Sequence, residues 1–187
     1  GVEIAKEAAQ YDMKVLLDFH YSDFWAEPAV QLIPKAWKKD VNNTEKMCSD
    51  VYDFTKESIQ KFKDGGANIG MVQVGNEITN GLLGIYSNRD KGESFNVIWG
   101  DKKKSTEVNK YLKAGIKAVR ECTPQALVAL HLETPNVWKY KTIMNTWKRD
   151  NVDYDVLGSS YYPFWSIAAK ANTPKTLKDV QTLAASY

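Results

Sequence analysis

Lys14-Val15-Leu16-Leu17-Asp18-Phe19-His20 is a run of apolar residues that turns polar towards its C-terminal end. A nearly continuous apolar run of this length is typical of a strand that is covered on both faces. Similar runs lie at residues 69–75, 126–132 and 154–161. The four runs therefore predict four strands of one parallel sheet.

Segments with a helical pattern separate the predicted strands. Val2 to Asp12 indicates the tail of a helix, and a long helix is predicted from Asn43 or Thr44 to Gly65-Gly66. Three more helices are predicted at residues 105–122, 136–149 and 173–185, the last with Thr173 as its cap and Pro174 in its first position. The pattern is a series of four β-α units.

Such a series forms either an open, doubly wound α/β sheet or a closed barrel of eight units. Each run ends in polar or aromatic side chains, namely Asp18 and His20, Asn76 and Glu77, His131 and Glu133, and Tyr161 and Tyr162. Functional residues at the end of every strand are typical of a barrel, and no glycine-rich phosphate loop follows the first strand. We therefore expect half of a (β/α)8 barrel, with neighbours missing on both sides because its edge strands would otherwise be unpaired.

The composition is that of an ordinary globular protein. Its 187 residues are 43% hydrophobic and 26% charged, which argues against disorder. The net charge is only +2, and we interpret Lys102-Lys103-Lys104 as a solvated loop. Nucleic acid is therefore not an expected partner.

Other general features are less decisive. Cys48 and Cys122 are predicted to be buried free thiols. The sequence contains no run of about 18 apolar residues and no secretory signal at its N-terminus, so no membrane association is expected and the export route is not shown. Because Gly1 falls within a helical pattern, we expect the chain to be part of a longer one.

Gly75-Asn76-Glu77 is the feature most suggestive of catalysis. A carboxyl group at a barrel mouth can protonate a leaving oxygen once partial burial raises its pKa. A glutamate at a strand end can equally be a helix cap or a surface charge. Strand alternation places Asp18 with His20 on one face, and His131 with Glu133 on another, so a histidine could orient the acid or bind a hydroxyl.

Two other chemistries have weaker support. His20, His131 and a carboxylate could bind a metal, but their spacing matches no HExxH or HxH pattern, so neither metal nor cofactor is expected. No serine lies in a G-x-S-x-G turn, which disfavours a serine nucleophile.

Aromatic residues cluster after the predicted strands: Tyr21, Phe24, Trp25, Trp99, Tyr161, Tyr162, Phe164 and Trp165. Aromatic faces suit the C–H faces of pyranose rings, although any one of these residues could be a core or loop anchor. Clustered at the mouth, they predict a polysaccharide groove.

Three stretches resemble glycoside hydrolase family 53, the endo-β-1,4-galactanases, in order and approximate spacing. They are Leu17-Asp18-Phe19-His20-Tyr21-Ser22-Asp23-Phe24-Trp25-Ala26-Glu27-Pro28, Val74-Gly75-Asn76-Glu77-Ile78 with Gly81-Leu82-Leu83, and Gly158-Ser159-Ser160-Tyr161-Tyr162-Pro163-Phe164-Trp165. The resemblance covers essentially the whole chain.

The resemblance implies a (β/α)8 barrel in which these are strands three to six. Glu77 then matches the acid/base, and Asn76 the residue that contacts the 2-hydroxyl of the sugar under attack. The cleft would be lined by His20, Asp23, Trp25, His131 and one of Tyr161 or Tyr162.

The family places its nucleophile, a second glutamate, at the end of strand seven, whereas this chain stops at Tyr187. Retaining hydrolysis needs two carboxyl groups roughly 5–5.5 Å apart. We therefore expect residues 1–187 to be a partial catalytic domain, truncated at both ends and inactive or nearly so alone. The full-length protein is expected to be a secreted, monomeric enzyme acting on β-1,4-galactan.

Two alternatives remain open at this point. The same barrel carries mannanases and cellulases, in which Asn-Glu after strand four recurs. The aromatic groove could also belong to a carbohydrate-binding fragment without turnover.

Overall fold

The computed structural model describes residues 1–162, 177–183 and 185–186. Its strands are, in chain order, β1 Val15–Phe19, β2 Ile69–Val74, β3 Gly81–Leu82, β4 Ile85–Tyr86, β5 Leu127–Leu132 and β6 Val156–Ser159. Four of them form one parallel sheet in the order β1-β2-β5-β6, while β3 and β4 form a short antiparallel hairpin. The predicted parallel sheet is confirmed.

The helices are α1 Val2–Ala9, α2 Thr44–Asp64, α3 Asn96–Trp99, α4 Lys102–Cys122 and α5 Val137–Arg149, with a further helical segment at residues 177–183. Short 3-10 helices cover Lys35–Asp40, Ile78–Asn80 and Arg89–Lys91. None of the helices in the described ranges is long and apolar enough to cross a membrane. The predicted alternation of helices with strands is confirmed.

Side-chain caps explain where two of the helices begin. The side chain of Asn43 accepts a hydrogen bond from the Lys46 N–H at 3.0 Å at the start of α2. Asn136 accepts one from the Lys139 N–H at 2.9 Å at the start of α5. The predicted cap of the last helix, Thr173, lies outside the described residues, as does Pro174.

The expectation of a solvated loop at Lys102-Lys103-Lys104 is wrong, because these lysines form the first turn of α4. The Asp101 side chain accepts hydrogen bonds from the N–H groups of Lys103 and Lys104, at 2.8 and 3.1 Å. The bond from Lys104 contributes most to lowering the pKa of the Asp101 carboxyl group. A capping carboxylate at this point satisfies two free N–H groups, so the helix begins at Lys102 instead of Ser105.

The helices cover one face of the sheet, with α4 packed against α2 and α5. Leu17 and Phe19 are buried on that side, whereas Leu16 is 50% exposed on the other. The expectation that each strand is covered on both faces is therefore met on one face only within the described residues. The open face is where barrel strands would enclose an interior.

The core between sheet and helices is built from large side chains, and Trp147, Tyr111 and Tyr140 are among the most deeply buried. Cys48 and Cys122 are free, as predicted, but they are partly rather than fully buried at its margin.

Candidate active site

Polar side chains gather where the four parallel strands end. Parallel strands bring their C-terminal ends to one edge of a sheet, which is where crevices for ligands form. Asp18 lies near the end of β1, Asn76 and Glu77 follow β2, His131 lies near the end of β5, and Ser160 follows β6. The predicted site residues of three strands are thus brought together, and a serine of the fourth joins them.

Asn76 is the centre of this group and is only 9% exposed. Its side-chain Nδ2 donates to the carbonyl oxygen of Ala26 at 2.9 Å, and its Oδ1 accepts from Gln73 Nε2 at 3.2 Å. The same Oδ1 lies 2.8 Å from His131 Nδ1, and the backbone oxygen of Asn76 accepts from Gln31 Nε2 at 2.9 Å. These contacts fix the amide orientation of Asn76.

His20 and Asp18 extend the group along β1. The Ala26 N–H donates to His20 Nδ1 at 3.1 Å, so the neutral ring carries its proton on Nε2. That nitrogen lies 3.1 Å from Asp18 Oδ2, while Asp18 Oδ1 accepts from Gln73 Nε2 at 2.6 Å. The prediction that Asp18 and His20 share a face is confirmed.

Glu77 has a left-handed backbone, with φ 47° and ψ 47°, directly after Gly75 at φ 85° and Asn76. A left-handed conformation of a residue other than glycine costs about 1–3 kcal/mol and is concentrated at functional sites. Glu77 precedes the 3-10 helix Ile78–Asn80, but its side chain makes no capping hydrogen bond to that helix. The helix-cap alternative for this glutamate is therefore wrong.

The carboxylate of Glu77 instead meets Ser160. The hydroxyl group of Ser160 donates to Glu77 Oε1 at 2.5 Å and also lies 2.9 Å from His131 Nε2. The Glu77 N–H lies 3.3 Å from His131 Nδ1. Glu77 is thus held beside a histidine by a single hydroxyl group, and its side chain is partly buried rather than a free surface charge.

His131 is in an environment that disfavours its charged form. Burial is the main cause that lowers its pKa below the usual value. The negative charges of Glu77 and Asp18 act in the opposite direction, and His20 adds to the lowering. Both ring nitrogens of His131 therefore serve as hydrogen-bonding groups of a neutral imidazole near pH 7.

The predicted pairing of His131 with Glu133 on one face is wrong. β5 ends at Leu132, and Thr134 has a positive φ of 32°, so strand alternation does not extend to Glu133. The Glu133 carboxylate forms a 2.7 Å ion pair with Lys139 of α5. It is engaged by the following helix and not by the histidine.

An open cavity of about 630 Å³ lies beside the group. Its lining includes Asp18, His20, Asp23, Trp25 and Trp37. Trp25 is 69% exposed, so its ring is accessible to a ligand. Asp23 Oδ2 accepts a hydrogen bond from the Lys35 N–H at 2.7 Å, which anchors the loop that forms this wall.

The predicted aromatic cluster divides into two sets. Phe24, Trp25 and Tyr162 are exposed and Tyr161 is partly so, whereas Tyr21 and Trp99 are buried. The Tyr21 hydroxyl bonds to Thr55 at 2.8 Å, and Trp99 Nε1 donates to the Thr79 carbonyl oxygen at 2.6 Å. The assignment of Trp99 to the groove is therefore wrong, because it is a core anchor. Tyr21 is buried but also lines the cavity beside Trp25. Phe164 and Trp165 lie outside the described residues.

Three polar residues of the site were not identified from sequence. Gln73 interrupts an otherwise apolar strand on the face of Asp18, and strand alternation could have identified it. Ser160 lies beside Tyr161 at the end of a predicted strand, but nothing in its local sequence marks it. Gln31 lies in an irregular loop and has no sequence signal at all.

Comparison with known proteins gives a consistent result. The model of the glycosyl hydrolase family 53 matches residues 1–185. The chain is 44% identical over 166 residues to an endo-β-1,4-galactanase of Bacillus subtilis, covering 88% of this chain and 34% of that protein. It is 30% identical over 177 residues to an arabinogalactan endo-β-1,4-galactanase of Humicola insolens, covering 90% of this chain and 48% of that protein.

Two solved structures have a similar fold. The Ignisphaera aggregans GH53 catalytic domain superimposes with a TM-score of 0.76 at 30% identity, covering 94% of this chain and 45% of that one. A structure from a study of two fungal β-1,4-galactanases gives a TM-score of 0.76 at 26% identity, covering 98% and 52%. The chain spans between about a third and half of the length of these relatives.

Proposed function

This chain belongs to glycosyl hydrolase family 53 and forms about half of its (β/α)8 barrel, and we propose on this premise that it carries the acid/base side of an endo-β-1,4-galactanase active site. The observation that carries the proposal is the placement of Glu77. Its carboxylate lies at a strand end and is held by Ser160. Asp18 and His20 of the same polar group line an open cavity with an exposed tryptophan.

Glu77 acts as the general acid in the first step of this reaction. It gives a proton to the glycosidic oxygen as the bond from that oxygen to the anomeric carbon breaks. In the second step it takes a proton from the water that releases the sugar. A partly buried carboxylate with one bonded oxygen keeps its other oxygen for the substrate.

Asn76 orients the sugar that is being cut. Its Oδ1 is occupied by Gln73 and His131, but only one Nδ2 proton is used, by the Ala26 carbonyl oxygen. The other Nδ2 proton is the group that donates to the 2-hydroxyl of the sugar. The cleft around it is shaped by His20, Asp23, Trp25, His131 and one of Tyr161 or Tyr162.

Retention of configuration requires a second carboxylate as nucleophile, roughly 5–5.5 Å from the first. Asp18 is bonded to Gln73 and His20, and Glu133 is paired with Lys139. We assign the nucleophile to neither of them and place it outside residues 1–187. The short chain alone is therefore expected to lack galactanase activity.

The first test is release of reducing sugar from linear β-1,4-galactan by the complete protein and by residues 1–187 in parallel. Activity is expected only in the complete protein, and ¹H NMR should show the β anomer as the first product. An α anomer would contradict retention. Full activity of the short chain would contradict the external nucleophile and would direct attention to Glu133.

A substrate panel separates the alternative functions. Hydrolysis of mannan or cellulose with none of galactan would assign another β-glycanase. Binding of galactan without product from the complete protein would assign a carbohydrate-binding role. Because polymeric galactan does not enter cells intact, we also propose that the complete protein acts outside the cell. We further propose that it is a monomer.

Trp25→Ala is expected to raise KM for galactan about 5-fold, because stacking by an aromatic ring contributes on the order of 1 kcal/mol. The side chain is exposed in the cavity wall, so the thermal midpoint should change little. Initial rates across a range of galactan concentrations, together with thermal unfolding, measure both effects.

Trp37→Ala is the matched control in the same wall. Its ring packs 5.8 Å from Phe54 and 6.3 Å from Tyr21, centroid to centroid. The expected result is a loss of about 2 kcal/mol of stability with a smaller change in KM. If Trp25→Ala instead destabilised the protein and left KM unchanged, its role as a sugar platform would be wrong.

A further inference from the structure

Gln31 is a buried residue of the loop after β1, and its side chain contacts the peptide bond between Asn76 and Glu77. Only 1% of Gln31 is exposed. Its Nε2 donates to the carbonyl oxygen of Asn76 at 2.9 Å and to that of Glu27 at 3.1 Å. Because carbonyl oxygens only accept, the side-chain amide must present its nitrogen to both of them. Gln31 thus connects the loop after β1 to the backbone directly before the proposed acid.

The peptide bond between Asn76 and Glu77 lies at a strained point of the backbone. Gly75 has φ 85° and Glu77 has φ 47°, so the chain turns sharply as it leaves β2. Rotation of this peptide plane would bring Glu77 to a negative φ, the sign that residues other than glycine prefer. A left-handed residue of this kind persists only where its surroundings hold it. A contact that opposes the rotation is therefore required.

The carbonyl end of this peptide bond is held more closely than its N–H end. The Glu77 N–H lies 3.3 Å from His131 Nδ1, and that nitrogen is nearer to Asn76 Oδ1, at 2.8 Å. The carbonyl oxygen of Asn76 receives the shorter bond from Gln31, which rotation of the peptide plane would break. The bond from Gln31 is therefore the stronger of the two restraints on the peptide plane.

The backbone of Gln31 is itself anchored on both sides. Its carbonyl oxygen accepts from the Gly84 N–H at 2.6 Å, in the turn of the hairpin formed by β3 and β4. Just before Gln31, Glu27 and Val30 exchange two backbone hydrogen bonds, of 3.1 and 2.9 Å, which close a tight turn. Because its own backbone is fixed in this way, the Gln31 side chain can hold the Asn76 carbonyl group in one place.

We propose that Gln31 is a positioning residue that holds the peptide bond before Glu77 in its strained orientation and thereby directs the acid/base carboxyl group towards the bond that is cut. The inference rests on the proposed acid/base role of Glu77. The nitrogen of this peptide is bonded to the Glu77 Cα, so rotation would change the direction in which the Glu77 side chain leaves the backbone. The Asn76 side chain is held by separate hydrogen bonds and should stay in place.

Gln31→Met in the complete protein removes the donor and keeps the length of the side chain. On β-1,4-galactan, kcat/KM is expected to fall about 10–100-fold, because a displacement of about 1 Å at a catalytic group can cost 10²-fold. The second substrate is an aryl β-galactobioside with a dinitrophenolate leaving group, which departs without a proton. Its kcat/KM covers the reaction only up to loss of that group and should stay within about twofold.

Asn109→Leu is the matched control, at a position away from the site. Asn109 of α4 is fully buried, and its Nδ2 donates to the Thr146 carbonyl oxygen at 3.1 Å and to Asp150 Oδ2 at 2.8 Å. Its Oδ1, like the Oε1 of Gln31, has no hydrogen-bond partner within the described ranges. Both variants remove a buried amide that donates to the backbone, so both should lower the thermal midpoint by several degrees. Only Gln31→Met should lose activity selectively on galactan.

The outcomes separate this inference from the proposed function. If the unmodified complete protein does not cut galactan, both fail. If it does, and Gln31→Met loses equally on the two substrates or on neither, Gln31 does not position the acid while the galactanase assignment stands. A selective loss of the same size in Asn109→Leu would overturn the inference as well, because reduced stability would then explain it. Gln31→Ala removes the same donor and carries the test if the methionine variant does not fold.

Discussion

Glu77→Gln in the complete protein is expected to lower kcat on β-1,4-galactan by about 10²–10⁴-fold, the usual contribution of general acid–base catalysis. The amide has the shape of the carboxyl group and still accepts the hydrogen bond from Ser160, but it cannot give a proton to the leaving oxygen. The thermal midpoint should therefore be unchanged. Initial rates of reducing-sugar release measure the loss.

The matched control for this variant is Glu133→Gln. Glu133 is the other glutamate that follows a strand of the sheet, but its carboxylate is paired with Lys139 at 2.7 Å. Its replacement should change kcat only slightly and cost less than about 1 kcal/mol in stability. Equal losses in both variants, or a normal rate in Glu77→Gln, would contradict the assignment of the acid.

Azide offers a further test of the same role. Glu77→Ala leaves space beside the anomeric carbon, and azide needs no general base to attack a glycosyl-enzyme. On an activated aryl substrate, azide should restore turnover and yield a β-glycosyl azide. A rate without dependence on azide would show that Glu77 is not the base of the second step.

The order of the elements could be predicted from sequence because each depends on local pattern. The apolar run at residues 14–20 and the three similar runs after it correspond to the strands β1, β2, β5 and β6. Asn43 and Asn136 begin helices because their side chains satisfy free N–H groups a few residues away. The start of α4 was predicted wrongly because three consecutive lysines were interpreted as a solvated loop. The capping residue Asp101 directly before them is the stronger signal for the start of a helix.

The hairpin of β3 and β4 was not predicted, for a physical reason. Its turn places Leu83 at φ 50° and Gly84 at φ 81°, a combination that favours Asn-Gly and that leucine rarely adopts. The signal usual for a two-residue turn is therefore absent. Burial of Leu82 and Leu83 compensates for the unfavourable backbone.

The site residues that lie at strand ends could be predicted from sequence. Those that join the site through contacts between distant parts of the chain could not. Glu77 and His131 follow from the rule that functional groups lie at the C-terminal ends of strands. Ser160 meets Glu77 across 83 positions of sequence, and neither local pattern nor alternation reports that contact. His131 was predicted as a possible orienting group, but its connection to Glu77 through the Ser160 hydroxyl depends on a contact between distant parts of the chain.

Gly81→Ala is expected to lower the free energy of unfolding by about 4 kcal/mol, from backbone strain and overpacking together. Gly81 has φ 128° and ψ −165°, a region that is nearly restricted to glycine. A Cβ atom there would lie 1.9 Å from the backbone oxygen of Ile85 and 2.7 Å from Tyr86 Cα. Neither atom can move without breaking the hairpin, so urea unfolding of the complete protein should show a much lower midpoint.

Gly92→Ala is the control that separates strain from collision. Gly92 also has a positive φ, 71°, but a Cβ atom there would meet nothing within 4 Å. Its loss should be only about 1 kcal/mol, the cost of a left-handed alanine. If the two variants lost the same stability, close packing at Gly81 would contribute nothing. Because the 3-10 helix Ile78–Asn80 joins Gly81 to Glu77, a displaced hairpin should also lower kcat, whereas Gly92→Ala should leave it unchanged.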